Sequence, residues 1–471
     1  MSPNEPRGRL PKWFLIVTLI AFCCVSMGKV VLMVPRGELY TDAQGAEHVP
    51  GFFNDAVITY RQQIDGTAEV TNWHSALFMY EGRAVRHVLQ TVTGRAWDGI
   101  ATMRMMADVA DVVLLANLAY WLALMLRKDW RFVLLAIPLS MVQYELRCWL
   151  AVSLDYFHMV IWCSAISVSI LLYKSPRRWV QVFCVMVLAV LLLHMVQYRR
   201  NAALLLPVFV YLAVARFMPS CRIWRKAMVG AVATLLLYAT ATQIVHLLGL
   251  PVKQLNYIQP MVESDLRIAA VLENRGPEAQ TDMAQHGMEP SDHEYLSSIT
   301  AYWTDAPMTD RARALAYYRA QWLGNTRNML MARFLQVSQF YYSGITPPVV
   351  ERLVDVMYPA MRQNTQRWKT LFGEDYVPPA RRVRRFVFTL LLVVLATAGA
   401  VRYLWHANKC SAEQKFLFAV VGSTALYCLS YLVVTPTADI RYMLPAHMLG
   451  CVAVGYLLLG KVFSWFDARK K

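Results

Sequence analysis

The feature that most constrains this chain is a series of apolar blocks, each about 17–25 residues long, the length that crosses roughly 30 Å of hydrocarbon as a helix. In lipid every backbone amide must be satisfied within its own segment, so such blocks fold as helices. The first, Trp13 to Val34, carries one interior charge, Lys29. Similar blocks lie near 99–126, 131–147, 149–173, 179–197, 202–217, 226–249, 384–405, 415–435 and 442–462. Residues with hydrophobic side chains make up 57% of the 471 positions, above the soluble norm, and the blocks hold the excess. The expected fold is all-α and polytopic, with about ten transmembrane helices, interfacial helices and an inserted helical outer domain. The expected divisions are a membrane module over 1–249 with a first outer loop over 35–98, a non-cytoplasmic domain over 250–382, and C-terminal membrane helices over 383–471.

The formal charge of +16 would suit nucleic acid, but its distribution points to membrane topology. Arg7, Arg9 and Lys12, then Arg127, Lys128 and Arg131, then Lys174, Arg177 and Arg178, then Arg216, Arg222, Arg225 and Lys226, and finally Arg469, Lys470 and Lys471 flank apolar blocks. That is the positive-inside pattern. It predicts a multi-pass inner-membrane protein with both termini cytoplasmic, membrane lipid as partner and no nucleic acid. The first block is long and lacks a small-x-small cleavage site, so it reads as a signal anchor. The nine cysteines avoid the long polar loop and form no CxxC pair, so they read as packing residues.

The arrangement works only if 74–92 does not cross. Leu77, Ala84, Val85, Val88 and Leu89 form one helical stripe, with Arg83, Arg86 and His87 off it, the pattern of a helix lying in the interface. A shorter helix is predicted before it from Phe53, Val57, Tyr60 and Ile64, with a turn near Asp65-Gly66. In the large loop, helices are expected near 260–274, 308–340 and 348–370, and its aromatic content argues that it folds.

Several residues carry candidate chemistry. Asp55 opens the short helix and suits either a general base or an N-cap. His74 suits a ligand contact or an interfacial anchor beside Trp73. Arg104, Asp108 and Asp111 share one span at helical spacing, with an Arg104–Asp108 pair the structural alternative. Glu145, Arg147 and Asp155 flank one outer turn, Arg199, Arg200 and Asn201 another, and Arg441 heads the final span between Pro436 and Pro445. Outer arginines run against the charge rule. Their guanidinium forks suit a lipid-linked phosphate or, more plainly, headgroups. There is no Walker loop, GxGxxG or HExxH, and no metal cage can be drawn.

The order of these features resembles the membrane glycosyltransferases that use polyprenyl-phosphate sugars, the C-type superfamily, and within it a bacterial subgroup of unassigned function. The quoted counterparts are His74-Ser75-Ala76-Leu77, Arg200-Asn201, Tyr257-Ile258-Gln259-Pro260 and Arg441-Tyr442-Met443-Leu444-Pro445. Ser75 stands where that group has proline, and Asn54-Asp55 lacks a second adjacent acid. The resemblance implies sugar transfer from a polyprenyl-phosphate donor to a lipid-linked or cell-envelope acceptor on the outer face, with no cofactor. It makes Asp55 the base, with Arg441 and Arg200 at the donor phosphate, in a bacterial inner membrane; His74 is the further catalytic candidate and Arg104 the further phosphate candidate. A non-catalytic flippase or transporter of lipid-linked saccharide would need polar residues through the whole depth of the membrane. A glycan polymerase or ligase shares the layout.

Overall fold

The computed structural model describes residues 11–43, 45, 47–52, 56–72, 75–253, 258–273, 275–288, 310–339, 412–433 and 440–469. These divide between two compact units, Met1–Lys253 with Ala396–Tyr427 and Leu444–Lys471, and Gln254–Leu395 with Cys428–Met443.

The first unit is a helix bundle. Its helices are α1 (Lys12–Met33), α2 (Arg61–Asp65), α3 (Ala76–Thr93), α4 (Gly99–Lys128), α5 (Ala136–Leu150), α6 (Leu154–Lys174), α7 (Arg178–Tyr198), α8 (Leu206–Phe217) and α9 (Ile223–Leu247). Most of two later helices, α14 (Ala412–Val433) and α15 (Ile440–Arg469), belong to it as well. Among the described residues, seven helices are long and apolar enough to cross a membrane: Lys12–Met33, Gly99–Lys128, Leu154–Lys174, Arg178–Tyr198, Arg200–Phe217, Ile223–Leu247 and Leu444–Arg469. They point to a membrane protein. Large apolar side chains remain exposed along them, including Ile20 on α1, Phe183 on α7 and Leu235 on α9, which suits contact with lipid. One of the three other expected spans differs. The 131–147 block is a 3₁₀ stretch, Trp130–Leu135, leading into the 15-residue α5. The 415–435 block forms the 22-residue α14, in which Leu417–Cys428 is a described apolar stretch. The 384–405 block lies outside the described residues.

Local chemistry sets the helix ends. Asp98 begins α4 by accepting from the Ala101 amide at 2.7 Å, and Arg127 and Lys128 end it where the helix dipole favours cations. Ser153 caps α6 by accepting from the Tyr156 amide, and Asp155 sits in that helix's first turn. Ser75 caps α3, accepting from the Phe78 amide at 3.1 Å. The serine found where the resembling group has proline therefore supplies an N-cap oxygen that proline lacks.

The first loop is ordered by its own contacts. Strands β1 (Tyr40–Thr41) and β2 (Glu47–His48) pair antiparallel. A π turn, Ala56–Tyr60, runs into α2, and Gly66 ends α2 at φ +79°, a left-handed conformation that glycine adopts without strain. Helices thus form on both sides of the expected turn. Gly82 lets α3 approach α2, since a Cβ there would meet Ile64 at 2.7 Å. Arg83 and Arg86 are tied inward. Arg83 donates to the Gln63 carbonyl at 2.7 Å, and Arg86 to the Trp97 and Asp65 carbonyls at 2.6 and 3.0 Å.

The end of α15 returns to the start of the 3₁₀ stretch. Arg131 pairs with Asp129 at 2.5 Å and with Asp467 at 3.0 Å, and Lys128 donates to the Tyr456 hydroxyl at 3.0 Å. Two expected basic clusters, near residue 130 and near 469, therefore meet at one end of the bundle.

In the second unit, α10 (Ile258–Leu272), α11 (Gly276–Gln285), α12 (Arg311–Gly324) and α13 (Thr326–Gln339) enclose a core of Val262, Leu266, Ala269, Met283, Met288, Ala314 and Met329. The stretch expected as one helix over 308–340 is two, broken at Gly324-Asn325. Helix α11 was not expected, and the 348–370 helix lies outside the described residues.

Candidate functional site

Among the described residues of the first unit, the buried Asp, Arg and Lys side chains are Asp111, Arg147, Asp155 and Lys226. Lys226 donates to the Pro219 carbonyl beside the basic cluster at the start of α9. The other three gather at the opposite end of the bundle. Helix direction explains this grouping: α5 and α7 finish there, α6 begins there, and Asp111 lies about 25 Å along α4 from Lys128 at 1.5 Å per residue.

Asp111 organises the layer. Tyr156 donates its hydroxyl to Oδ1, and Arg147 donates Nε to Oδ2 at 3.3 Å. Gln143 donates its side-chain amide to the Asp111 backbone carbonyl at 3.1 Å. Asp111 is fully buried and Arg147 is 4% exposed. The guanidinium carbon stands 5.3 Å from the centre of the Tyr156 ring. Burying this pair carries a desolvation cost that the extra hydrogen bonds offset in part. Beside it, Asp155 pairs with Arg199. One turn further along α6, His158 is fully buried and stacks on Tyr427 at 5.7 Å and 21°. Among the described residues neither His158 ring nitrogen has a hydrogen-bond partner.

A third group joins α3 to α7. Glu81 holds His194 Nε2 at 2.7 Å and accepts from the Tyr198 hydroxyl at 2.6 Å. It is about one-quarter exposed, at the same end as Asp155.

No family model, curated protein or solved structure matches this chain. Its reading therefore rests on the residues themselves.

Asp55 and His74 lie outside the described residues, and of Arg441 only the helical backbone is described. Their neighbours are placed. Phe52 bridges to Val152, whose amide donates to the Gly51 carbonyl at 3.0 Å, so the chain before Asp55 is fastened to the α5–α6 turn. Thr71 bridges to Lys253, and the Asn72 amide donates to the Lys253 carbonyl at 3.0 Å, fastening the chain before His74 to the end of the α9 segment.

Arg104 and Arg200 hold those fastened segments. Arg104 donates to the Gly37 carbonyl at 2.6 Å and lies 5.6 Å from the centre of the Phe52 ring. Arg200 donates to the Asn72 carbonyl at 3.0 Å. The alternative Arg104–Asp108 pair does not form as expected: Asp108 pairs with Arg36 at 3.0 Å. Arg36 follows the Pro35 that ends the α1 segment and reaches the exposed side of α4, whereas Arg104 turns towards the loop carbonyl.

The layer around Asp111 was only partly foreseen. Asp111, Arg147 and Asp155 stood out as ionisable groups near apolar blocks, but Gln143, Tyr156 and His158 did not. The spacing of Gln143 and Arg147, four apart on one helix face, was the available signal.

In the second unit, Asp265 is fully buried. It accepts from the Tyr318 hydroxyl at 2.5 Å and pairs with Arg333 at 2.9 Å. Burial pushes its carboxyl up to about 6 despite the guanidinium beside it. The same burial pushes the Tyr318 hydroxyl up to about 12. This cluster ties α10, α12 and α13 together.

Proposed function

We propose that the chain is a multi-pass inner-membrane glycosyltransferase, with both termini cytoplasmic, that moves a sugar from a polyprenyl-phosphate donor to a lipid-linked or cell-envelope acceptor on the outer face. The observation that carries this reading is the grouping of the bundle's described buried ion pairs at one end, with the buried Lys226 at the other. Asp111, Arg147, Asp155 and its partner Arg199 lie at the end opposite the basic clusters. Several polar groups elsewhere in the bundle are neutral and bonded to one another: Asn117 to Ser164 at 3.0 Å, Trp121 to Ser167 at 2.8 Å, and Trp162 to Ser423 at 2.8 Å; Lys29 is charged and donates to the Ser140 hydroxyl at 3.1 Å. A saccharide path through the bundle would need such groups open to the passing ligand. A reaction at one surface does not.

On this reading Asp55 removes the proton of the acceptor hydroxyl, and that oxygen attacks the anomeric carbon. The bond from carbon to the phosphate oxygen breaks, and polyprenyl phosphate leaves with the electron pair. The resemblance assigns Arg441 to the growing charge on the phosphate, where a fixed cation would lower the barrier most. Arg200 and Arg104 keep the two loop segments fastened beside that phosphate. His74 contacts the acceptor. The test is Asp55→Asn in protein reconstituted in lipid and supplied with a panel of polyprenyl-phosphate sugars. Loss of transfer by about a hundredfold is expected with insertion unchanged, because Asn caps a helix as well as Asp but takes up no proton. Full transfer would leave Asp55 as a cap and remove the base from the mechanism.

A further inference from the structure

We propose that Gln143 and Arg147 together form a buried subsite for an alcohol hydroxyl, as on a saccharide, and not for an anion. The two residues lie four apart on α5, on one face, and both meet Asp111. The Gln143 side chain is fully buried. Its amide nitrogen is bound to the Asp111 carbonyl, which can only accept, so the orientation of the group is fixed and Oε1 is left as an acceptor. Among the described residues that Oε1 has no hydrogen-bond partner, and neither has Arg147 Nη1.

The subsite thus offers one acceptor and one donor from residues one helical turn apart that both meet Asp111, next to an ion pair whose charges already cancel. A phosphate or carboxylate brings acceptors only. It would satisfy Nη1 but set oxygen against Gln143 Oε1 and add a charge with no counter-charge. An ammonium group brings donors only and fails at Nη1. A hydroxyl both donates and accepts, so it satisfies both atoms without changing the net charge. Water shares this chemistry. The position of the pair near the end of α5, at the charged end of the bundle, favours a hydroxyl carried by a ligand that enters from that surface. The inference stands on this hydrogen-bond pattern and needs no transfer reaction.

The test uses the full chain in lipid nanodiscs, with radiolabelled dodecyl glucoside and dodecyl phosphate as probes at equal mole fraction in lipid. Gln143→Met removes the acceptor. Arg147→Lys keeps the charge opposite Asp111 and removes Nη1. Wild type is expected to bind the glucoside more tightly than the phosphate, and each variant to weaken glucoside binding about tenfold, as expected for losing one buried hydrogen bond. A melting curve for each variant checks folding. If a variant fails to fold, a density map of wild-type protein with the glucoside, showing its hydroxyl between Nη1 and Oε1, serves in its place. A water-sized peak there, with glucoside binding unchanged in both variants, would assign the position to water and overturn the proposal. Tighter phosphate binding that is lost in Arg147→Lys would make it an anion site and overturn it as well. Neither probe is turned over, so failure here is separable from failure of the Asp55→Asn transfer test.

Discussion

The Asp111–Arg147 pair allows a sharp energetic test. Both side chains are almost wholly buried, and the carboxylate is held by Arg147 and Tyr156 together. Asp111→Asn conserves shape and still offers an oxygen to Tyr156, but it leaves the Arg147 guanidinium buried without a counter-charge. Breaking a buried pair in this way costs about 3–5 kcal/mol, and the retained amide oxygen places this variant near the lower end. Arg147→Met keeps much of the apolar stem and strands the carboxylate, with a similar cost. The double variant holds no stranded charge, so its cost should fall below the sum of the singles by about 2 kcal/mol or more, a coupling well outside the ~0.5 kcal/mol scatter of independent sites. Reversible unfolding in bicelles by added dodecyl sulfate measures all four proteins. Singles that cost under about 1 kcal/mol, or that add without coupling, would refute the view that this pair organises the charged end of the bundle.

Other expectations follow from single contacts. Ser75→Ala should destabilise α3 by about 1 kcal/mol through loss of the cap to Phe78, read as a lower melting temperature. Ser75→Pro should cost at least as much, because the cap oxygen is lost there too. A cysteine at the exposed Arg178 should react with a membrane-impermeant maleimide only from the cytoplasmic side, since it lies in a basic cluster; labelling from outside would reverse the topology. Asp265 supplies a pH dependence. Its carboxyl is raised from 3.8 to about 6 in the folded unit, so the native state binds the proton more tightly than the unfolded chain does. The stabilisation is complete below about pH 4 and is lost as pH rises through 6. Against an Asp265→Asn reference, wild type should lose about 3 kcal/mol between those limits, measured by calorimetry of the full chain. A difference flat with pH would remove the buried carboxylate from the account.

The helices were legible because their signal is local and repeated. A run of apolar residues such as Trp13 to Val34 specifies a helix whatever it packs against, and Ser153 or Asp98 caps its own helix from three residues away or fewer. The short loop helices were legible for the same reason, with Gly66 as the stop. Where the sequence misled, the competing interaction came from elsewhere in the chain. Asp108 has a basic neighbour one turn away in Arg104, and helical spacing alone would pair them. Instead Arg36 reaches Asp108 from beyond α1, and Arg104 is drawn to the Gly37 carbonyl beside Phe52.

The same asymmetry governs the candidate site. Asp55, His74 and Arg441 were singled out by local pattern and by resemblance, while the charged layer was assembled by contacts between helices. Asp111 meets Arg147 across 36 positions and Tyr156 across 45, so no window of sequence contains the triad. What the sequence did contain was the cost. An aspartate inside an apolar block, and an arginine at the end of another, are each too expensive to bury alone, and each therefore implied a partner. The structure pairs them with each other. Gln143 Oε1 and Arg147 Nη1, like the His158 ring nitrogens, keep hydrogen-bonding capacity that the described residues do not use. A charged layer kept for stability alone could be replaced by apolar side chains of similar volume at little cost. A pair that presents one further donor, beside a glutamine that presents one further acceptor, fits the proposal that this layer binds a hydroxyl. The hydroxyl subsite and the proposed transfer reaction at the same end of the bundle are therefore linked by chemistry, while their tests remain independent.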